Sequence, residues 1–200
     1  MKGAVSSGHP LTARAAIEMF SRGGNAFDAA VSAGFASVIA EPNFTSLGGG
    51  GFLLAHIERQ KKDLLFDFFV TTPGIGLTND IQPEMTPVPI KFPRCTQIFH
   101  TGFASAAVPG MLKGLRYIHK RLCTLPIRTI LSPAISYLKK GVEVSELQGY
   151  ILTLLEPIFT STDYGREIYT INDRYIKERD RLFNPLLKEF YYKIADDDCD

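Results

Sequence analysis

Residues Ser46–Gly74 read SLGGGGFLLAHIERQKKDLLFDFFVTTPG. Four consecutive glycines, Gly48 to Gly51, lead straight into an apolar run, and a second apolar run follows a short polar break. The runs GFLLAHIE (51–58) and DLLFDFFV (63–70) are aliphatic and aromatic, and RQKK (59–62) separates them. Two such runs around a short polar connection predict an antiparallel hairpin. Almost every residue of both runs is apolar, which predicts burial on both faces, as in a layered sheet covered by helices.

The glycines do not read as a nucleotide site. A phosphate loop needs a Lys-Ser/Thr pair opening a helix just after the glycines, and a dinucleotide fingerprint needs the glycines to follow a strand and begin a helix. Here the order is reversed, so no helix N-terminus would face an anion. The steric reading is stronger. Without Cβ atoms, such a run can take strained or left-handed angles and lie against another backbone. It predicts a tight junction between a helix and the sheet, with exposed amides meeting a substrate oxygen as the alternative.

The chain upstream supplies that helix. HPLTARAAIEMFSRGGNAFDAAVSAGFASVIAEP (9–42) reads as two helices. Thr12 is a candidate cap for the first, and Ala15, Ala16, Met19 and Phe20 share one face. Gly23 suits a left-handed C-cap, Asn25 caps the second helix, and Pro42 ends it. Ala26, Ala29, Ala30, Ala33, Gly34 and Ala36 leave the second helix thin enough to pack closely against a neighbour. Downstream, Thr72 to Pro93 carries five of the 12 prolines and no sustained period. This predicts an irregular Pro-rich loop over 72–102. AVPGMLKGLRYIHKRL, LPIRTILSPAISYLKKG, VSELQGYILTLLEPIF and LFNPLLKEFYYKIADDDCD then read as helices, with Pro133 inside the second and Ser145 capping the third. A lone hairpin is a poor sheet, so the element count implies that strands complete it from elsewhere.

Bulk properties narrow the function. The 200 residues fit a single domain spanning 1–200, and 45% hydrophobic with 22% charged residues suits a soluble globular protein. A net charge of +1 leaves no nucleic-acid footprint. Cys95, Cys123 and Cys199 are odd in number and widely spaced, which argues for free thiols over a disulfide framework or a metal site. His9, His56, His100 and His119 stand alone, and no GxSxG elbow surrounds Ser6 or Ser7. The acidic DDDCD end reads as a frayed tail. No run approaches the ~20 apolar residues of a membrane helix. MKGAVSSGHP lacks the apolar core of a signal peptide. The expectation is a cytoplasmic protein with no membrane partner.

Taken together, RGGNAFDAAVSAGFASVIAEPNFTSLGGGGFLL resembles the N-terminal part of the gamma-glutamyltransferase family, whose members read GGNA-DAAVA and then LGGGGF. AVPGMLKGL, LPIRTILSPAISYLKKGVEVSE and RLFNPLLKEF are similar to later family segments in the same order. The resemblance implies an α+β fold, the αββα sandwich of the N-terminal nucleophile hydrolases, here incomplete. It implies a precursor that cuts itself in two. The new N-terminal threonine of the smaller piece attacks a gamma-glutamyl amide with its hydroxyl, and its freed amine serves as base. It implies no metal or organic cofactor. The partners implied are a gamma-glutamyl or other acyl-amide small molecule and a C-terminal catalytic subunit.

The chain departs from the family twice. No threonine here stands in the family's nucleophile context, so no catalytic residue is assigned and this stretch alone is expected to be inactive. Gamma-glutamyl-specific members end the second strand with D-F/Y-R-E-x-A-P, whose arginine binds the substrate's α-carboxylate. This chain reads DFFVTTPG, with Phe69 at the arginine position and Val70 at the glutamate position. Phe69 is therefore the candidate substrate-binding residue, and it makes gamma-glutamyl specificity doubtful. The alternatives are that Phe69 fills core space, or that the chain is a truncated, non-catalytic paralogue that binds a partner.

Overall fold

The computed structural model describes residues 3–76 and 84–196. Cys199 and the DDDCD tail beyond Asp196 lie outside them, as does 77–83 of the Pro-rich stretch. In chain order the elements are α1 (Pro10–Ser21), α2 (Ala26–Ala40), β1 (Phe52–Ile57), β2 (Lys62–Asp67), β3 (Thr86–Lys91), β4 (Thr96–Thr101), α3 (Met111–Leu122), α4 (Ile127–Lys140), β5 (Val142–Glu143), α5 (Glu146–Phe159), α6 (Asp163–Tyr169), β6 (Thr170–Ile171), β7 (Arg174–Tyr175), β8 (Arg181–Leu182) and α7 (Pro185–Asp196). They form two compact units. One comprises Met1–Thr71, Val108–Lys140 and Pro185–Asp200; the other comprises Thr72–Ala107 and Gly141–Asn184.

The first unit is built around α2. Val31, Phe35, Ala36 and Ala40 are fully or almost fully buried there. Helices α1, α3 and α4 all pack against it, and its small side chains permit the approach. At Gly34 a Cβ would lie 2.9 Å from Leu115 of α3. Tyr191 of α7 is fully buried, meets Phe35 edge-on at 5.9 Å, and its hydroxyl donates to the Phe35 carbonyl at 2.9 Å. Ser32 donates to the Ile130 carbonyl at 2.8 Å, tying α2 to α4. Helix α4 runs on through Pro133. Proline leaves the carbonyl four residues back without its usual donor, and Ser132 Oγ donates to that Thr129 carbonyl at 2.8 Å.

Helix starts and stops follow the sequence closely, with one correction. Gly23 is left-handed at φ +82°, Gly141 after α4 at +69°, and Asn25 and Ser145 each close a reciprocal capping box. Thr12 does not cap α1. The cap is His9, whose Nδ1 accepts from the Leu11 N–H at 3.1 Å, with Pro10 at the first turn. Proline needs no N–H partner there, which moves the start upstream. Thr12 is buried and donates to Glu41 Oε2 at 2.9 Å.

β1 and β2 pair antiparallel with Phe52 opposite Asp67, Leu54 opposite Leu65 and His56 opposite Asp63. The expected burial on both faces does not hold. One face carries Leu53, Ala55 and Phe66, the last edge-on to Tyr117 of α3 at 6.1 Å. The other exposes Phe52 (59%), Leu54 (77%), Leu65 (65%) and Phe69 (56%). Side chains alternate across a strand, so an apolar residue at every position gives two apolar faces whether or not both are covered.

In the second unit Val144, Leu152 and Ile176 form a small core flanked by Phe159, Tyr169 and Tyr175. Asp180 fixes the loop before β8: it accepts two bonds from Arg174, at 2.6 and 2.7 Å, and one from the Lys177 N–H at 2.8 Å. Part of the stretch read as irregular, 72–102, is an ordered hairpin of β3 and β4. The Phe92 N–H bonds the Cys95 carbonyl at the turn. By alternation along the ladder, Pro87 and Pro89 fall on the outward-facing positions of β3. Proline is tolerated there because no ladder N–H is lost.

Candidate functional site

The glycine run, the end of β2 and the start of α3 meet as three backbones. Gly51 and Phe68 exchange both hydrogen bonds, at 3.3 and 3.1 Å. The Gly49 carbonyl accepts from the N–H groups of Gly110 and Met111 at 3.0 and 2.9 Å. Thr71 and Val108 pair as an isolated bridge. A Cβ on Gly50 would lie 2.6 Å from both the Phe68 carbonyl oxygen and the Val70 nitrogen. On Gly110 it would lie 2.0 Å from the Phe68 oxygen, and on Gly114 2.3 Å from the Phe68 ring. The run therefore serves close backbone approach, as its composition suggests. It does so without left-handed angles, since none of Gly48 to Gly51 has a positive φ. It enters β1 and not a helix, which agrees with the rejection of a phosphate loop.

Phe69 lies just beyond the last residue of β2. Its N–H donates to Asp67 Oδ1 at 3.0 Å. Its exposed ring stacks on Phe52, with centroids 5.3 Å apart and planes at 11°. Phe69 is thus not core filling within the described residues. The pair makes a flat aromatic platform at the edge of the open apolar face.

Beside the junction runs a cavity of about 550 Å³, lined by residues 64–68 of the β2 segment and by the Gly110–Arg121 flank of α3. Lys113, Tyr117 and Arg121 face it at successive i, i+4 positions. Arg121 lies 5.3 Å over the Tyr117 ring and donates to its hydroxyl at 2.5 Å. None of the three stands in a motif. Their four-residue spacing on an amphipathic helix was the available signal.

Asp28 anchors the support beneath. It is fully buried and accepts from the Thr124 and Leu125 N–H groups at 2.9 Å each, from the Thr124 hydroxyl at 2.7 Å and from the Asn25 N–H at 2.6 Å. Burial pushes its carboxyl up, but the bonds from Leu125, Thr124 and Asn25 outweigh burial and hold it below the usual carboxylate range. The neighbouring Cys123 thiol is pushed up to about 12 by burial and by the Asp28 charge. At the hairpin turn, His56 bonds Asp63 through Nδ1 at 2.7 Å and Glu58 through Nε2 at 2.9 Å. Among the described residues no three His, Cys, Asp or Glu side chains gather as a metal site, and no helix is long and apolar enough to cross a membrane.

Comparison with known proteins places this architecture. The family model of Gamma-glutamyltranspeptidase matches residues 12–200. The chain belongs to the gamma-glutamyltranspeptidase family. It is 27% identical over 192 residues to the Glutathione hydrolase proenzyme of Bacillus subtilis (strain 168), covering 96% of this chain and 32% of that protein. It is 32% identical over 166 residues to the Acylase ACY 1 proenzyme of Pseudomonas sp. (strain SE83), covering 76% of this chain and 27% of that one. The gamma-glutamyltranspeptidase crystal structure from Helicobacter pylori superposes with a TM-score of 0.80 at 22% identity, covering 98% of this chain and 56% of that one. The fold is therefore the α+β fold of the N-terminal nucleophile hydrolases, of which the chain holds the N-terminal part. It spans between a quarter and a third of the length of these curated relatives.

Proposed function

We propose that this chain is the N-terminal part of the large subunit of an amide hydrolase or acyltransferase, and that its acyl donor is not a gamma-glutamyl compound. The nucleophile is an N-terminal threonine exposed by self-cleavage in the remainder of the polypeptide. Its hydroxyl adds to the amide carbonyl while its own α-amine takes the proton. The amine leaving group departs, and water or a second amine then takes the acyl group from the threonine ester. The proenzyme names of the two relatives support self-cleavage. The exposed face of Phe52, Leu54 and Leu65 supports a further layer supplied by that remainder.

Phe69 carries the specificity reading. At the position of the carboxylate-binding arginine it offers an exposed aromatic ring stacked on Phe52. A charged hydrogen bond contributes roughly 1.5–3 kcal/mol, so its loss weakens a gamma-glutamyl donor by about ten-fold to more than a hundred-fold. An acyl group with apolar surface gains what the carboxylate loses. The relative named as an acylase fits a family whose acyl groups vary.

The test has two stages. Mass spectrometry of the whole gene product should find two pieces, the smaller headed by threonine; a single uncut chain would favour a non-catalytic paralogue. In the processed protein, Phe69→Arg should raise kcat/KM for a gamma-glutamyl anilide by at least about ten-fold. An unchanged value would remove Phe69 from the donor pocket.

A further inference from the structure

The open face of β1 and β2 is graded along its length. Directly opposed residues share a face, so His56 with Asp63, Leu54 with Leu65, and Phe52 with Asp67 line one side of the hairpin. That side runs from a charged pair at the turn, through an aliphatic pair, to an aromatic end. Side chains alternate along a strand, so Phe69, two residues past Asp67, continues it. Phe52 and Phe69 remain 59% and 56% exposed, although each ring covers part of the other. Their centroids are 5.3 Å apart and their planes lie at 11°. The Phe69 N–H donates to Asp67 Oδ1 at 3.0 Å, which fixes the backbone where the ring departs. A further layer resting on Leu54 and Leu65 would leave this aromatic pair at its rim.

Charge and geometry narrow what such a pair can hold. The charged groups on this side are Asp67, beside the rings, and His56 with Asp63 at the turn. The only lysine or arginine within the two strands, Lys62, lies opposite Ile57 on the other side. An anionic group at Phe69 therefore meets a carboxylate and no strand cation, and like charges repel. An ammonium group is held best in a cage, where several aromatic faces surround it. Rings that are nearly parallel cannot form one, because each blocks a face of its neighbour. They suit a flat group instead, which extends the stack in the offset arrangement that aromatic rings prefer.

The chemistry of the donor sets the distance. In a gamma-glutamyl group, three carbons separate the scissile carbonyl from the α-carboxylate that the family's arginine binds. A ring standing in for that carboxylate is carried on three carbons as well. We propose that the acyl donor is an aryl-alkanoyl amide of the gamma-phenylbutyryl type, whose ring stacks on the Phe52–Phe69 pair, and that Phe52 is a second specificity-determining residue. This rests on the reading above that Phe69 faces the acyl donor, and adds the aromatic class, the length of the linker and the part of Phe52. Phe52 opens β1 directly after the glycine run. The paired backbones of Gly51 and Phe68 therefore set the spacing of the two rings.

The test is kcat/KM of the whole, processed protein on a set of anilides. The gamma-phenylbutyryl anilide should exceed the gamma-cyclohexylbutyryl anilide, which has similar bulk and no π face, by about two- to ten-fold. It should also exceed the phenylacetyl anilide, whose ring stops short of the pair; the reverse order would overturn the linker length. Equal turnover of the phenyl and cyclohexyl donors would overturn stacking while the apolar reading of Phe69 stands. A gamma-trimethylammoniobutyryl anilide as the best donor would overturn it in favour of a cation. A gamma-glutamyl anilide as the best donor would instead defeat the reading of Phe69 itself, so the two failures are distinct. Phe52→Leu should lower the phenyl-to-cyclohexyl ratio toward one, and Phe52→Tyr, which keeps the ring, should retain it. Both donors are measured on one preparation, so a smaller folded fraction cancels in the ratio. An unchanged ratio in Phe52→Leu would remove Phe52 from the donor site.

Discussion

Replacing Asp28 with alanine should destabilise the first unit severely. The carboxylate is fully buried and is the acceptor for three backbone N–H groups and one hydroxyl. Hydrogen bonds to a charged group contribute about 1.5–3 kcal/mol each, so four would sum to roughly 6–12 kcal/mol. That is an upper bound, because burying the charge opposes them and water can enter the space left by truncation. Breaking a buried ionic network commonly costs about 3–5 kcal/mol, and that is the loss expected in urea denaturation. Asp28→Asn should recover little. One of its two terminal atoms becomes a donor, and every partner in the site is itself a donor. The native carboxyl titrates below its unfolded value, so its contribution is full above the ordinary carboxylate pKa and is lost as pH falls through the native value. The Asp28→Ala protein should therefore lack that part of the acid-side slope. A loss under about 1 kcal/mol, or an unchanged acid limb, would refute the assignment of Asp28 as the tie between α2 and the α3–α4 connection.

Three further outcomes can be checked in the same preparations. Gly110→Ala places a Cβ 2.0 Å from the Phe68 carbonyl oxygen, a backbone atom that cannot step aside; it should cost at least about 2 kcal/mol, whereas Gly23→Ala meets no atom and should cost only the strain of its left-handed φ. Cys123, raised to about 12, should resist alkylation at pH 8 while exposed Cys95 reacts, and Asp28→Ala should quicken Cys123. His56 is raised by hydrogen bonds to Asp63 and Glu58, so any stability it lends the hairpin is present below the ordinary histidine pKa and lost as pH rises through the native value. Asp63→Asn should bring the His56 titration, followed by NMR, back toward the ordinary value.

How much was legible depended on where the information resides. Helix ends were readable because their causes are local: Gly23, Asn25, Gly141 and Ser145 each act through neighbours within a turn. The hairpin of β1 and β2 was readable from its two apolar runs. The hairpin of β3 and β4 was not, because two prolines in six residues read as a breaker unless the ladder is known to place both on its outer side. The strands β5 to β8 have two residues each, too short for any period. Asp28 could have been found, since an acid three residues after a capping asparagine is half of a capping box. Its bonds to Thr124 and Leu125, nearly 100 positions away, could not.

The glycine run shows the same division between what a residue permits and what its surroundings use. The missing Cβ atoms were visible in the sequence, and two uses were open: unusual angles or close approach. The structure uses only the second, and the decisive partner is Phe68. Its carbonyl sits where a side chain of Gly50 or Gly110 would be, and its ring where one of Gly114 would be. Phe68 thus fixes α3 against the end of β2, and with it the direction in which Phe69 leaves the strand. The next residue in the chain turns to the opposite face, which is why Phe69 is exposed while Phe68 is packed. A substitution at Phe68 should therefore disturb the candidate donor site through backbone position, and one at Phe69 through its ring alone. The pair Phe68→Leu and Phe69→Leu separates the two. The first should lower thermal stability and activity together; the second should change donor preference with stability nearly intact.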